Sequence, residues 1–415
     1  MTTTACVIVG GGQAGLAASR CLVERGIEHV VLERGRVGER WRSERWDSLR
    51  LLTPNWQSRL PGFAYDGPDP DGFMTMPEVV GYLERYASSF GAPVCEGVTV
   101  TSVTRAGGGF LVVTSAGEWM ARAVIVATGY SDVPHVPAVA AGCPTWLTHL
   151  VPTAYRRPTL LPEGGVLVVG ASATGIQLAD EIHRSGRPVT LAVGHHTRLP
   201  RRYRGRDVLW WLDRMGVFDE TIDDVYDLAI SREQPSLQLI GHPDHLTINL
   251  RTLASRGVRV TGRLRSVDGT VARFEDDLVA TTAAADIKLA MLQRRIDQFI
   301  AREAITAEAT PEFEPHCLGF AGAPMAVDLA REGIRTVVWA TGFTRRYPWL
   351  RVPVLDDCGQ ITQARGVTPE PGLYTVGLHF QTRRNSSFID GVGHDAREVA
   401  AHLAAFLARR PTAVA

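Results

Sequence analysis

The sequence predicts an α/β fold built from two parallel-sheet domains, the second inserted in the first, together with a small antiparallel β element. Three observations support this prediction: a strand–turn–helix–strand unit at the N-terminus, a repeat of that unit from Gly165, and two apolar strands that each end in Ala-Thr-Gly. The predicted first domain covers residues 1–155 and 341–415. The predicted second domain covers 156–340, with a helical elaboration at about 205–310.

The N-terminal unit carries the most specific pattern. Residues 6–9 form a short apolar run with β-branched side chains, which is typical of a buried parallel strand. Gly10, Gly12 and Gly15 follow with the spacing G-x-G-x-x-G, which allows a tight turn, close approach of the backbone to a pyrophosphate and close packing of the next helix. The next strand ends at Glu33, where a carboxylate can accept hydrogen bonds from a ribose. The unit therefore predicts a Rossmann-like dinucleotide-binding site.

The same unit returns after an offset of 160 residues. Gly170 and Gly175 repeat the first and last glycines, Ser172 replaces the middle one, and Val193 replaces the acid at the strand end. An arginine-rich segment follows, which includes Arg198, Arg201 and Arg202. Arginines in place of an acid can bind a 2′-phosphate through bidentate bonds, so this unit predicts an NADPH site. A solvated basic loop is the alternative.

Composition excludes several classes of function. The chain has 415 residues, 45% of them hydrophobic, and a net charge of zero, so nothing attracts it electrostatically to nucleic acid or to an anionic membrane. The N-terminus leads directly into the first strand and no segment has the apolar length of a membrane span, so we expect a cytoplasmic protein. Six scattered cysteines without a C-x-x-C pair argue against a disulfide framework, a zinc site and a redox-active dithiol.

A long segment after Glu33 carries Trp41, Trp46, Trp56 and several arginines. One interpretation is a lid over an aromatic ligand, because loops rich in aromatic residues often line a binding pocket. The other is a surface cluster in which arginine stems cover tryptophan rings.

Taken together, the two glycine units, the two Ala-Thr-Gly ends and Asp390 before a C-terminal helix resemble the flavoproteins with two dinucleotide-binding domains. Over nearly the whole chain the resemblance is to class B flavin-dependent monooxygenases, which include flavin-containing monooxygenases and plant YUCCA-type enzymes. It implies FAD at the first glycine unit and NADPH at the second. It also implies a flavin C4a-hydroperoxide that oxygenates a small organic substrate at nitrogen, sulfur or a ketone. Thr53–Asn55 resembles the stretch in which an asparagine supports the oxygenated cofactor, so Asn55 is the candidate catalytic residue.

The residues expected to bind these cofactors come from both glycine units, both Ala-Thr-Gly ends, the G-E-R-W segment and the C-terminal helix. They are Gly10, Gly12, Gln13, Ala14, Gly15, Glu33, Arg40, Trp41, Val100, Ala127, Thr128, Gly129, Gly170, Ser172, Thr174, Gly175, Arg198, Arg201, Arg202, Thr341, Gly342 and Asp390. We expect no metal site. The expected partners are the small substrate and O₂, and we expect no binding to nucleic acid or membrane. Whether the protein forms a homodimer is left open.

One family feature is absent. The fingerprint F-x-G-x-x-x-H-x-x-x-[YF] should precede the second glycine unit, but placing its aromatic residue on Tyr155 puts Val151 at the histidine and Leu147 at the glycine. His149 lies two residues out of register. The chain then belongs to a divergent branch or catalyses another reaction. The alternatives to a monooxygenase are an NADPH-dependent flavin oxidase or dehydrogenase and a flavin-binding redox regulator.

Overall fold

The computed structural model describes residues 1–309 and 312–409. The α-helices of this part of the chain are, in order, α1 (Gln13–Val23), α2 (Glu39–Ser43), α3 (Met76–Ser89), α4 (Ala173–Arg184), α5 (Val208–Arg214), α6 (Leu228–Arg232), α7 (Leu250–Ser255), α8 (Leu278–Arg302) and α9 (Val392–Ala408).

The strands are, in order, β1 (Thr2–Val9), β2 (His29–Leu32), β3 (Arg59–Leu60), β4 (Phe63–Ala64), β5 (Val94–Cys95), β6 (Val100–Ala106), β7 (Gly109–Thr114), β8 (Gly117–Val126), β9 (Val133–Pro134), β10 (Thr148–Leu150), β11 (Gly165–Val169), β12 (Val189–Ala192), β13 (Thr197–Arg198), β14 (Arg202–Tyr203), β15 (Arg206–Asp207), β16 (Leu237–Gln238), β17 (Arg259–Thr261), β18 (Leu264–Asp268), β19 (Val271–Phe274), β20 (Ala326–Asp328), β21 (Ile334–Trp339), β22 (Phe343–Thr344) and β23 (Leu373–Thr375).

The first domain is built on a sheet with the strand order β5-β2-β1-β8-β7-β6, and β23 pairs with β8. Strand β1 is parallel to both β2 and β8, as the buried apolar run predicted. The predicted antiparallel strands are present as β6, β7 and β8, but they extend this sheet instead of forming a separate one. The reason is the length of β8, which pairs with β1 over residues 119–126 and also with β7 over residues 117–121.

The second domain has a parallel sheet with the order β10-β21-β11-β12-β17. All five residues of β11 are buried, and α4 follows it as α1 follows β1. Strand β10 lies in this sheet, so the second sheet begins at Thr148 and not after the predicted boundary at 155. Three residues among prolines give too short an apolar pattern to be recognised as a strand.

The expected helical elaboration is mixed in structure. It includes β17, which is a full member of the second sheet, and the antiparallel strands β18 and β19. Strand β19 also pairs with β20. The long helix α8 follows them. The Asp-Gly turn predicted between two strand-like runs is confirmed by the register of Asp268 opposite Val271.

The chain passes between the domains twice at the same place. Strand β9 leaves the first domain and pairs, antiparallel, with β22, which returns to it. The second domain is therefore inserted in the first, as predicted. None of the helices in the described residues is long and apolar enough to span a membrane.

Candidate cofactor cleft

A cleft of ≈ 2660 Å³ lies where the carboxyl ends of the two parallel sheets meet. Ordinary small-molecule pockets are about 300–1,000 Å³, so this cleft has room for more than one large ligand. Most of the predicted cofactor-binding residues line it, namely Gly10, Gly12, Gln13, Ala14, Glu33, Arg40, Trp41, Val100, Ala127, Thr128, Gly129, Gly170, Ser172, Thr174, Arg198, Thr341 and Gly342.

The first glycine turn leaves an open cradle at the N-terminus of α1. Gly10 has φ +110°, and a Cβ there would lie 2.7 Å from the carbonyl oxygen of Ala127, so the turn needs glycine. A Cβ on Gly12 would meet nothing within 4 Å, and Gly12 lines the cleft. Gly12 is the N-cap of α1, and no side chain caps the helix and no acid lies in its first turn. The free N–H groups and the positive end of the helix dipole therefore fit a phosphate.

The second glycine turn repeats this geometry at α4. Ser172 is the N-cap without a side-chain cap, and the first turn again has no acid. Gly170 has φ +104° and lies against Ala340 as Gly10 lies against Ala127. Two uncapped helix N-termini thus face one cleft. That arrangement fits two dinucleotides.

The last glycine of each unit acts behind the cradle. A Cβ on Gly15 would lie 1.8 Å from the carbonyl oxygen of Gly10, and one on Gly175 would lie 1.8 Å from that of Gly170. Neither residue lines the cleft. The expectation that they contact a cofactor is corrected: they let each helix pack against its own turn.

Glu33 lines the cleft at the end of β2 and is 8% exposed. Its carboxylate accepts hydrogen bonds from the N–H of Gly11 at 2.6 Å and of Gly35 at 2.9 Å. The side chain therefore fixes the first glycine turn, and it has further acceptor positions for a ribose.

The tryptophan-rich segment covers part of the cleft. Trp41 lines it and donates from Nε1 to Gln13 at 3.3 Å, while Arg45 lies 5.4 Å from the Trp41 ring. Arg40 donates to the carbonyl of Ser131 at 2.6 Å and pairs with Asp132. Trp41, Arg45 and Trp46 all line the cleft, so the lid interpretation is the one the geometry favours.

The structure corrects the placement of two predicted arginines. Arg201 is 1% exposed, pairs with Asp207 at 2.5 Å and donates to the carbonyl of Leu52 at 2.7 Å. Arg202 is exposed and donates to the carbonyl of Gly205. Neither lines the cleft. Arg202 finds its partner in its own turn, whereas Arg201 is held partly by a distant segment, and a count of arginines cannot show either.

Arg198 does line the cleft, but its charge is shared. It pairs with Asp286 of α8 and donates to the carbonyl of Glu314 at 3.2 Å. Burial, followed by Arg198, lowers the pKa of nearby His316 to about 4, so that imidazole adds no positive charge at neutral pH.

Asn55 and Asp390 also differ from expectation, because both are held by distant partners outside the cleft lining. Asn55 is 4% exposed, donates to the carbonyl of Asp69 at 2.9 Å and accepts from the N–H of Met74 at 2.7 Å. Asp390 forms an ion pair with Arg59. Asn55 fixes a loop, and Asp390 holds α9 to β3.

Several cleft residues were not predicted from the sequence. Gly377, at the end of β23, has φ +88°, and a Cβ there would lie 2.6 Å from that of Ala14. Arg232, Arg345 and His379 line the cleft as well. A glycine after the apolar run Leu373–Thr375 could have predicted a third strand end at the cleft. No pattern in the sequence pointed to the arginines.

Comparison with known proteins places the chain. Residues 7–212 match a family model described as pyridine nucleotide-disulphide oxidoreductase. The uncharacterized oxidoreductase CzcO-like of Geobacillus kaustophilus is 32% identical over 394 residues, which cover 94% of this chain and 95% of the relative. The chain belongs to the family of CzcO-like oxidoreductases. It is a flavin-dependent oxidoreductase.

Two further similarities span nearly the whole oxidoreductase. Indole-3-pyruvate monooxygenase YUCCA1 of Oryza sativa subsp. japonica is 28% identical over 395 residues, covering 90% of this chain and 86% of the relative. A flavin-containing monooxygenase from Stenotrophomonas maltophilia has a solved structure with a TM-score of 0.67 at 21% identity, covering 98% of this chain and 100% of that chain. The second similarity shows a shared fold.

The segment that would carry the family's histidine fingerprint is a well-packed connector in this oxidoreductase. Tyr155 is 1% exposed, and burial raises the pKa of its phenol. Val151 packs against the second-domain core, and His149 lies in β10, where it accepts from Trp339 Nε1 at 3.2 Å. The three residues between Val151 and Tyr155, which are Pro152, Thr153 and Ala154, line the cleft.

Proposed function

We propose that the protein is an FAD- and NADPH-dependent monooxygenase that oxygenates a small organic substrate. The observation that carries this proposal is a cleft with two uncapped helix N-termini, because two dinucleotides bound there would share one space. The similarity to a relative named as an indole-3-pyruvate monooxygenase supports oxygen insertion over simple oxidation.

The chain would supply a binding site for each cofactor. The N-terminus of α1, with Gly12 and Gln13, would hold the pyrophosphate of FAD, and Glu33 would orient the adenosine ribose. The N-terminus of α4, with Ser172 and Thr174, would hold the nicotinamide nucleotide. When bound, FAD supplies the redox chemistry, accepting hydride from the nicotinamide and reducing O₂.

The cysteines argue against the disulfide chemistry in the name of the matching family model. No cysteine lines the cleft among the residues that the structure describes. Cys6 and Cys21 are buried in the first-domain core, and burial raises the pKa of both thiols. Among the described residues, no cysteine therefore lies in the cleft where it could pass electrons from a flavin to a disulfide substrate.

A labelled-oxygen experiment tests the proposal. The FAD-loaded enzyme, supplied with NADPH and ¹⁸O₂, is screened against amines, sulfides, aldoximes and ketones. The expected result is substrate-stimulated NADPH consumption with one ¹⁸O in the product. Consumption of NADPH with hydrogen peroxide as the only oxygen product, for every compound, would replace the monooxygenase with an oxidase. Unstimulated, slow consumption would favour a redox regulator.

A further inference from the structure

A cluster of cationic side chains on the cleft wall is separate from both glycine units. This arginine cluster consists of Arg232 at the end of α6, Arg345 just after β22, and Arg384 and His379 after β23. All four are half-buried and all four line the cleft.

Two of these arginines have no acidic partner. Arg384 pairs with Glu220. Arg232 donates from Nε and Nη2 to the carbonyl of Phe380 at 3.2 and 3.1 Å, and Arg345 donates from Nε to the amide oxygen of Gln360 at 2.5 Å. Within residues 1–309 and 312–409, neither guanidinium lies within ion-pair distance of a carboxylate.

The cluster is electrostatically unbalanced. Burial, and then Arg345, Arg232 and Arg384, lower the pKa of His379, so its ring is neutral at pH 7. Arg345 likewise adds to burial in lowering the pKa of Arg232. Half-buried charges of one sign carry a desolvation cost that an incoming anion would offset. The buried Nδ1 of His379 has no hydrogen-bond partner among the described residues.

The surroundings favour an organic acid. The ring of Tyr130 lies 5.5 Å from that of His379 and is 39% exposed, so an apolar group next to the anion has an aromatic surface to contact. The pyrophosphates of two dinucleotides would be bound at the N-termini of α1 and α4. A planar carboxylate matches the fork of a guanidinium.

We propose that Arg232 and Arg345 bind the carboxylate of an organic acid substrate whose apolar part faces Tyr130. The fate of that acid rests on the proposed oxygenase function, but its binding does not. A cofactor phosphate has the same anionic chemistry, and the experiment distinguishes the two sources.

Calorimetry on the oxidised, FAD-loaded enzyme tests the subsite, with phenylacetate as the probe and neutral phenylacetamide as its match. The wild type should bind phenylacetate roughly tenfold or more tightly than the amide, since a charge-assisted pair is lost with the amide. Arg232→Gln and Arg345→Gln should each remove most of this difference. Arg345→Lys should keep part of it, because the charge stays and the fork is lost. Exposed Arg331, changed to Gln, is the matched control and should alter nothing.

FAD content and melting temperature are recorded for each variant. Retained FAD with lost phenylacetate binding supports the proposal. Loss of FAD from both glutamine variants, while Arg345→Lys and Arg331→Gln keep it, would assign the cluster to the cofactor's phosphates and overturn the proposal. Equal binding of acid and amide by the wild type would also overturn it. Binding is measured without turnover. If the enzyme binds phenylacetate but forms no oxygenated product from any compound, the binding subsite stands and the monooxygenase proposal fails.

Discussion

At the scale of single residues, Gly12 separates folding from cofactor binding. Its conformation is extended, and an added Cβ meets no protein atom, so Gly12→Ala should fold normally. The new methyl group would occupy the space that a pyrophosphate needs, and we expect FAD binding to weaken by at least roughly tenfold. The ratio of flavin to protein absorbance after purification measures this effect. Gly81→Ala in α3, where the nearest atom is the end of Arg85 at 3.4 Å, is the control. Full FAD content in Gly12→Ala would show that the cofactor lies elsewhere.

Asp395 should make stability depend on pH. It is 1% exposed in α9, near the hydroxyls of Ser386 and Thr382 but without a hydrogen bond of normal geometry, and burial raises its pKa to about 7. A carboxyl whose pKa is higher in the folded state binds its proton more tightly there, so stability falls as pH rises from about 4 to about 7.

Asp395→Asn removes this titration. At about 1.4 kcal/mol per pKa unit, the variant should gain up to roughly 4 kcal/mol over wild type at pH 8 and nothing at pH 4. Melting temperatures of the two proteins across this range provide the measurement. A gain of the same size at every pH would mean that packing, not charge, causes it.

At the scale of elements, the N-terminus of α4 can be tested without altering the fold. Ser172→Asp places a carboxylate where it caps the helix, which is neutral or stabilising. The same charge would repel a nucleotide phosphate, so the KM for NADPH should rise by roughly tenfold or more. FAD content should not change, because the proposed FAD site lies at α1. Asn249→Asp at the N-cap of α7, which lies outside the cleft lining and already accepts from the N–H of Thr252, is the matched control. An unchanged KM would place the nicotinamide nucleotide outside this cradle.

The basic segment after β12 should discriminate only weakly between nucleotides. Arg198 shares its charge with Asp286, and Arg201 is buried against Asp207. We therefore expect kcat/KM for NADPH to exceed that for NADH by no more than about tenfold, below the full value of a free charge-assisted bond. Arg198→Ala should bring the ratio near one, whereas Arg202→Ala should leave it unchanged. A wild-type ratio in the hundreds would require these arginines to change partners on binding.

Local patterns predicted the elements better than the side-chain partners. Both strand–turn–helix units followed from the sequence because each glycine acts on its own turn and its own helix. The roles of Asn55 and Asp390 did not, because their hydrogen-bond and ion-pair partners, such as Met74 and Arg59, are set by tertiary packing. Buried polar groups must find partners, and several distant residues could have supplied them.

At the scale of the whole molecule, the second domain closes over the cleft from one side. Asp219, Glu220 and Asp223 of the segment after α5 form ion pairs with Arg383, Arg384 and Arg365 of the first domain. The N–H of Ile222 also donates to the carbonyl of Thr382 at 2.9 Å. Exposed pairs of this kind contribute about 0–1 kcal/mol each, so the segment is held by several weak contacts.

Because β9 pairs with β22, the chain enters and leaves the second domain at adjacent points. Deleting that domain would therefore leave almost no gap in the backbone of the first domain. Pro134 lies opposite Phe343, and the N–H of His135 donates to the carbonyl of Gly342 at 2.9 Å. Replacing residues 135–342 by Asn-Gly would turn the two crossing strands into an ordinary hairpin, since a two-residue turn of that sequence joins antiparallel neighbours. Such a shortened protein should remain yellow yet take no electrons from NADPH. The same adjacency offers new termini inside the second domain for a circularly permuted enzyme.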